Sequence, residues 1–183
     1  ELFLESHGVV FSPETARINE FSVKNTDVSL TLGSIESTDT VPSEPLYWKI
    51  LLDEIDFENV GFALKMPQDS LFVRTMLPKT TLKNGVIDLK EASYYVKSFG
   101  IDNAELAYGP KEELFLQQIG LQLDSIYYCG KDIRANIEEF VLKERSGLEL
   151  VSTEGRIVSD SVLIEIPKFT MKTTASSLDL QTK

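Results

Sequence analysis

The sequence has only one cysteine, one histidine and one tryptophan in its 183 residues. The single Cys129 excludes an internal disulfide. The single His7 leaves too little material for a histidine-based metal site or for an imidazole base beside a nucleophile. We therefore predict a protein that is not an enzyme, with no catalytic residue, no metal site and no cofactor.

Positive charge is also scarce, because 18 Lys and Arg stand against 29 Asp and Glu and give a formal net charge of −11. This balance is the wrong sign for neutralising phosphates, so nucleic acid is excluded as a predicted partner. The P-loop, the GxGxxG turn, GxSxG, CxxC and the acidic calcium loop are absent as well.

No apolar run approaches the roughly 18 residues that cross a bilayer, and the first ten residues do not resemble a signal peptide. Hydrophobic residues make up 42% of the chain, which is enough to build a folded core. Because Glu1 is not a natural start, we expect a segment excised from a larger protein, with any anchor upstream. We treat 1–183 as a single β-repeat segment containing an acidic, proline-containing loop at 36–45.

A repeat runs through the chain. Residues 18–30 align without a gap on 52–64, and the two segments agree in type at thirteen positions. The shared order is apolar, two others, apolar, x, apolar, x, Asn, two others, apolar, x, apolar. Three copies keep it: Ile18, Phe21, Val23, Asn25, Val28, Leu30; Leu52, Ile55, Phe57, Asn59, Phe62, Leu64; and Val96, Phe99, Ile101, Asn103, Leu106, Tyr108.

Two further copies are looser. The fourth has Glu144 in place of Asn and one inserted residue, and the fifth has Thr173 there and two extra residues. Their apolar members are Ile137, Phe140, Leu142, Leu148, Leu150 and Ile166, Phe169, Met171, Leu178, Leu180. Successive copies are 34, 44, 41 and 29 residues apart, which favours stacked strands with variable loops.

Alternation with period two on each side of the Asn predicts one strand before it and a second strand after it, so each copy is predicted to be a bent pair of strands with one apolar face. Asn tolerates the left-handed αL conformation, so we interpret Asn25, Asn59 and Asn103 as corner residues and not as ligands. The predicted fold is all-β with little helix. It is an elongated repeat array of short, bent antiparallel strands that forms a taco-like groove or open solenoid.

Further strands, a helical turn and several strand breaks are predicted between the repeat copies. Short strands are predicted at 71–74, 86–89, 119–123 and 156–158, and a short helical turn at 111–118. Asn84-Gly85 is typical of a hairpin turn, and Gly109-Pro110, Gly130, Gly147 and Pro167 are expected to break strands.

Three features have a structural and a functional interpretation. The acidic side chains of 53–58 are expected to form a solvated face opposite Ile55 and Phe57, not a metal site. Cys129 is expected to be a small, partly buried apolar residue rather than a nucleophile. Trp48 is expected in the core rather than at a lipid or partner contact.

The stretch from Phe140 to the end resembles the TamB-type translocation and assembly module proteins of the AsmA-like superfamily, in the form found in Bacteroidetes. The resemblance is carried by Glu144, Ser146, Gly147, Leu148, Leu150, Glu154, Gly155, Arg156, Ile166, Pro167, Phe169, Met171, Thr173, Ser176, Ser177 and Leu178. The earlier copies are similar to the repeats of the same family.

The resemblance implies a periplasmic rod of β-strands in a protein anchored to the inner membrane. It further implies work in outer-membrane biogenesis and phospholipid transport, and an outer-membrane assembly protein as a partner of regions outside this segment. We therefore predict that an apolar groove binds or conducts phospholipid or other acyl chains. Association through the cut strand edges would be an artefact of truncation.

The predicted groove residues are Ile55, Phe57, Phe62, Leu64, Phe99, Ile101, Leu106, Phe140, Leu142 and Leu148. For each of them, ordinary core packing is the competing interpretation. The alternative for the whole chain is a structural or adhesive β-sandwich module that binds protein or glycan through its loops.

Overall fold

The computed structural model describes residues 3–32, 47–66, 71–160 and 164–181, and these form strands and turns without a helix. Alternating apolar and polar residues build each strand, and Gly109, Gly130 and Gly147 turn the chain with positive φ angles. The strands are β1 (Phe3–Ser12), β2 (Thr15–Thr31), β3 (Lys49–Met66), β4 (Leu71–Asp88), β5 (Ser93–Tyr108), β6 (Leu114–Cys129), β7 (Asp132–Glu144), β8 (Glu149–Ser159), β9 (Ile164–Thr173) and β10 (Ser177–Gln181).

All ten of these strands belong to one open sheet whose order follows the sequence from β1 to β10. Every neighbouring pair is antiparallel except β2 and β3, which are parallel. Parallel strands need a connection of a dozen or more residues, and 17 residues separate Thr31 from Lys49. The predicted all-β class and open antiparallel array are confirmed, with this one parallel exception.

The sheet is a single layer. Its solvent-accessible surface is 12478 Å², against about 8,900 Å² for a compact protein of this mass. Among the described residues no large side chain is fully buried, and the apolar side chains buried most deeply are small or medium-sized, such as Ala104 and Ala107 at 2% exposure. Within the described chain, no second sheet forms a sandwich with the first.

The first three repeat copies lie beside one another in register. Ile18 is paired with Leu52 and Phe21 with Ile55, so the 34-residue repeat is the register of the parallel β2 and β3 pair. The third copy lies on β5, and β4 separates it from the second. Ile55 and Phe99 are both opposite Leu82, which explains the longer step of 44 residues.

The asparagine of each copy lies where the strand ladder is interrupted. Asn25, Asn59 and Asn103 have φ angles of 50°, 53° and 54°. The paired positions skip Asn25 and Asn59, and they skip Pro78 of β4, which faces Asn59 and Asn103. The predicted αL conformation at these three residues is confirmed. The predicted pair of strands in each copy is wrong here, because one long strand continues through each asparagine.

A second interruption crosses the sheet six positions away. The register skips Asn19, Asp53, Asn84, Lys97 and Ser125. Asn84 and Ser125 have positive φ angles of 53° and 56°. At each interruption one residue is left out of the strand ladder. The apolar residues on either side of it are therefore an odd number of positions apart in the repeat, yet they can point to the same face, because the alternation of faces is reset there.

Contacts at Gly85 show the effect of this reset. A Cβ added there would lie 3.1 Å from Leu82 Cδ2 and 3.3 Å from Leu52 Cβ. Leu82 is opposite Ile55, while Gly85 is opposite Leu52. Leu52 and Ile55 therefore share one face although they are three positions apart in the sequence.

The fourth and fifth copies differ from the first three. Glu144 ends β7, and Leu142 pairs with Leu150 across the following turn. In the fifth copy, Leu178 pairs with Met171 across the β9–β10 hairpin. One or two inserted residues thus convert the kink into a hairpin, so each of these two copies spans a pair of strands, as predicted.

Several local predictions are also corrected. The strands are long, because 71–74 and 86–88 both belong to the 18-residue β4. Asn84-Gly85 is an interruption inside β4 and not a hairpin, since αL geometry at one residue bends a strand without reversing it.

Residues 111–118 form a turn followed by β6, not a helical turn. Pro167 lies within β9, where the register shifts between Arg156 and Val158 and a missing N–H is tolerated. The loop predicted at 36–45 lies outside the described residues.

Candidate functional site

Apolar side chains form two rows that cross the middle of the sheet at right angles to the strands. Residues opposite each other on neighbouring strands point to the same face. The first row contains Phe21, Ile55, Leu82, Phe99, Leu123 and Ile137, and the second contains Val23, Phe57, Thr80, Ile101, Leu121 and Phe140. We call these two rows the apolar face.

The apolar face is partly open to solvent. Five of the predicted groove residues lie on it, namely Ile55, Phe57, Phe99, Ile101 and Phe140, and all are half-buried. The rings of Phe21 and Phe57 meet edge to face with centroids 6.5 Å apart. The contacts on this face are between neighbours in the same layer, so the large side chains keep an exposed edge.

Three other predicted residues lie beyond the asparagine row. Phe62 and Leu106 are both opposite Thr75, and Leu64 is opposite Val73 in the next row. All three predicted residues are half-buried, whereas their neighbours at the strand ends are open, with Leu30 46% and Tyr108 48% exposed.

The last two predicted residues are not brought into these rows. Leu142 is a half-buried residue near the end of β7. Leu148 lies in the β7–β8 turn, where it is 56% exposed and its carbonyl accepts a hydrogen bond from the Glu144 N–H at 2.8 Å. The alignment also placed Phe140 opposite Phe99, but the structure places Phe140 one row further along, with Ile101.

The repeat alignment missed members of the apolar face that belong to the antiparallel strands between copies. Leu82, Leu121 and Leu123 fill the rows on β4 and β6. A signal was available, because Ile119, Leu121 and Leu123 alternate with period two.

The opposite face is polar. Glu54, Asp56 and Glu58 alternate with Ile55 and Phe57 along β3, so the predicted solvated acidic face is confirmed. Lys83 Nζ lies 2.7 Å from Glu54 Oε1, and this hydrogen bond raises the pKa of the Lys83 ammonium group.

A similar pair joins β8 and β9 through Lys168 and Glu154 at 2.8 Å. Their hydrogen bond lowers the pKa of the Glu154 carboxyl and raises that of the Lys168 ammonium group. Surface pairs of this kind keep one face hydrated and in register but bring little net stability.

The described residues include few groups that could act as a nucleophile or hold a metal ion. Cys129 is half-buried, as predicted, and its thiol lies 3.7 Å from the Glu91 carbonyl. A hydrogen bond with Cys129 raises the pKa of Tyr127. No group of three potential metal ligands occurs in this part of the chain, and none of its segments is a helix that could cross a membrane.

The prediction for Trp48 is wrong. Its side chain is 37% exposed because it precedes β3 at an end of a one-layered sheet, where there is no core to enter. Its ring instead contacts Phe11 edge to face at 6.3 Å.

A scan against protein-family models and searches of curated proteins and of solved structures found no match.

Proposed function

We propose that the protein is a non-enzymatic, lipid-handling segment whose apolar face binds or conducts acyl chains. The observation that carries this proposal is the pair of half-buried apolar rows on a sheet that has a polar opposite face and no second layer in the described chain. An exposed apolar surface of this kind is typical of a binding surface. The proposal extends the surface across the asparagine row to Phe62, Leu64 and Leu106, where the odd repeat spacing resets the alternation.

The driving force is the removal of methylene groups from water. Full burial contributes about 0.8 kcal/mol per methylene, so a sixteen-carbon chain lying half-buried on one face gains roughly 6 kcal/mol before the cost of association. This gain is modest and non-directional. Because the rows offer few directional contacts, a bound chain can shift from one row to the next.

The sequence resemblance supplies the cellular setting of the proposal. As part of a TamB or AsmA-like envelope protein, this segment would lie in the periplasm, in a protein anchored to the inner membrane by another region. It would contribute to outer-membrane biogenesis by carrying phospholipid, and an outer-membrane assembly protein would bind elsewhere on the same protein.

The test is binding of a fluorescent fatty acid, together with native mass spectrometry of protein purified from cells. Leu121→Asp places a charge on the apolar face, and the control Thr81→Asp places the same charge on the opposite face. We expect Leu121→Asp to weaken binding by about tenfold or more, and Thr81→Asp to leave binding within about twofold, as for surface changes elsewhere.

Loss of folding is detected from the far-ultraviolet circular dichroism of each variant. Phe57→Ala serves as a milder second variant that keeps the face uncharged. Equal effects of the two Asp variants, or no lipid and no fatty-acid binding by the unchanged protein, would overturn the proposal.

A further inference from the structure

One end of the sheet has aromatic and aliphatic side chains on both faces. Two consecutive rows cross this end, and consecutive rows point to opposite faces. One row contains Phe11, Ala16, Ile50, Ile87, Tyr94, Tyr128 and Ile133, and the other contains Val10, Arg17, Leu51, Val86, Tyr95, Tyr127 and Arg134. We call this end, with the adjoining Tyr47 and Trp48, the aromatic end.

The amphipathic aromatic residues of the chain are concentrated there. Of six tyrosines and one tryptophan in the sequence, only Tyr108 lies elsewhere, on the opposite end of β5. Their side chains are accessible, with Tyr47 50%, Tyr94 41% and Tyr128 42% exposed. Tyr and Trp have an apolar ring and a polar tip, which suits them to the boundary between hydrocarbon and water.

The aromatic side chains are arranged in pairs. The rings of Tyr94 and Tyr128 lie 5.7 Å apart on one face. On the other face, the Arg134 guanidinium lies 5.8 Å from the Tyr127 ring centre. The aromatic surface thus wraps around the end of the sheet and is not confined to the apolar face.

The charge of this end also differs from that of the rest of the chain. Arg17, Lys49, Lys90, Lys131 and Arg134 balance the acids Glu14, Asp88, Glu91, Asp132 and Asp160. The described residues of the aromatic end therefore carry almost none of the net charge of −11. A nearly neutral end is the part of this acidic molecule that a lipid headgroup layer repels least.

We propose that the aromatic end inserts into the headgroup region of a lipid bilayer, with the strands roughly upright. Two rows and their turn span about 7–10 Å at 3.3 Å per residue, which matches the 5–10 Å depth of interfacial anchoring. The next row inward, which contains Leu52 and Val96, is also apolar. The polar interruption that contains Asp53 and Asn84 lies one row beyond it and limits the depth. The proposal goes beyond acyl-chain binding, because the aromatic end can contact a bilayer whether or not the apolar face carries lipid.

The experiment uses Trp48, the only tryptophan, as a built-in probe. The protein is titrated with phosphatidylcholine vesicles, and its fluorescence is compared with that in vesicles whose lipids carry bromine at shallow or deep acyl positions. We expect a blue shift and stronger quenching by the shallow bromines. An unchanged spectrum with saturating vesicles would overturn the proposal.

A variant pair identifies the end that binds. Tyr94→Ser with Tyr128→Ser should weaken vesicle partitioning by about tenfold, because two ring-sized apolar surfaces are lost. The control Tyr108→Ser removes a similarly exposed tyrosine at the other end and should change partitioning by less than about twofold. Equal losses in both variants would contradict the assignment of this end.

Two readouts separate this proposal from its rivals. If a second copy covers the aromatic end, the Trp48 emission will shift with protein concentration without vesicles, and this result would overturn bilayer insertion. Leu121→Asp should weaken fatty-acid binding yet keep the vesicle-induced shift, whereas the tyrosine double variant should weaken vesicle partitioning yet keep fatty-acid binding. The acyl-chain proposal and the bilayer proposal can therefore be contradicted independently of each other.

Discussion

At the scale of single residues, Thr80 is a polar side chain within an apolar row. It lies opposite Phe57 and Ile101 and is 5% exposed, and its hydroxyl has no hydrogen-bond partner in the described chain. A buried hydroxyl without a partner costs free energy that a methyl group of the same shape avoids. We expect Thr80→Val to raise the free energy of unfolding by about 1 kcal/mol, measured by urea denaturation.

The matched control is Thr75→Val on the same strand. The Thr75 hydroxyl donates to the Glu105 carbonyl at 2.8 Å, so this change removes a hydrogen bond. It should lower stability by about 0.5–1.5 kcal/mol. A destabilised Thr80→Val variant would show that its hydroxyl has a partner, such as water or bound ligand.

The effect of replacing Asn59 depends on the backbone conformation of this residue. Its φ is 53°, and its amide donates to the Asn25 side-chain oxygen at 3.2 Å. A β-branched residue is strained in αL, so Asn59→Val should lower the free energy of unfolding by about 2 kcal/mol or more. Asn59→Gly, which accepts this φ freely, should cost less than about 1 kcal/mol.

Asn136→Val is the reference for this prediction, since Asn136 lies in β7 and is not among the residues with positive φ. Urea midpoints of all three variants make the comparison. Equal costs for Asn59→Val and Asn136→Val would mean that αL strain does not hold this corner.

At the scale of strands, the sequence predicts the period and the corners well because both are local properties. Alternation identified the halves of β2, β3 and β5, and Asn identified their αL positions. The prediction from sequence failed for β4, where Asn84-Gly85 suggested a hairpin. A turn signal fixes a local φ, but whether the chain then reverses depends on the neighbouring strands that hold it straight.

The pairing of the strands, and the surfaces that this pairing leaves exposed, could not be predicted from the sequence. The 34-residue step did not reveal that β2 and β3 are parallel, because registers depend on contacts between distant segments. The rows on the apolar face likewise include Leu82 and Leu121, which belong to no repeat copy. The aromatic end was missed because its tyrosines come together only when β5 and β6 pair.

The strand interruptions predict where proline is tolerated. Pro78 lies in β4 at a position the ladder skips, whereas Thr81 is paired with both Asp56 and Gly100. Thr81→Pro should remove a ladder hydrogen bond and cost about 3 kcal/mol or more, while Pro78→Ala should change stability by less than about 1 kcal/mol. Thermal unfolding followed by circular dichroism measures both, and similar losses in the two variants would contradict this account of the interruption.

At the scale of the whole molecule, the surface area and the proposed function have the same origin. One layer of strands can bury a side chain only against its neighbours in that layer, so an apolar face stays half-exposed even when every strand is paired. The accessible surface of 12478 Å² records this exposure. Ligand binding and aggregation therefore compete for the same face, and the net charge of −11 opposes aggregation by mutual repulsion.

This architecture predicts a measurable size in solution. A compact domain of 183 residues has a radius of gyration of about 16 Å, and an open ten-stranded layer must exceed it. Small-angle X-ray scattering should give a clearly larger value, with a distance distribution skewed to long distances, for a sample shown to be monomeric by light scattering. A monomer at about 16 Å would mean that the sheet closes on itself in solution. The apolar face would then be a core, and the acyl-chain proposal would lose its surface.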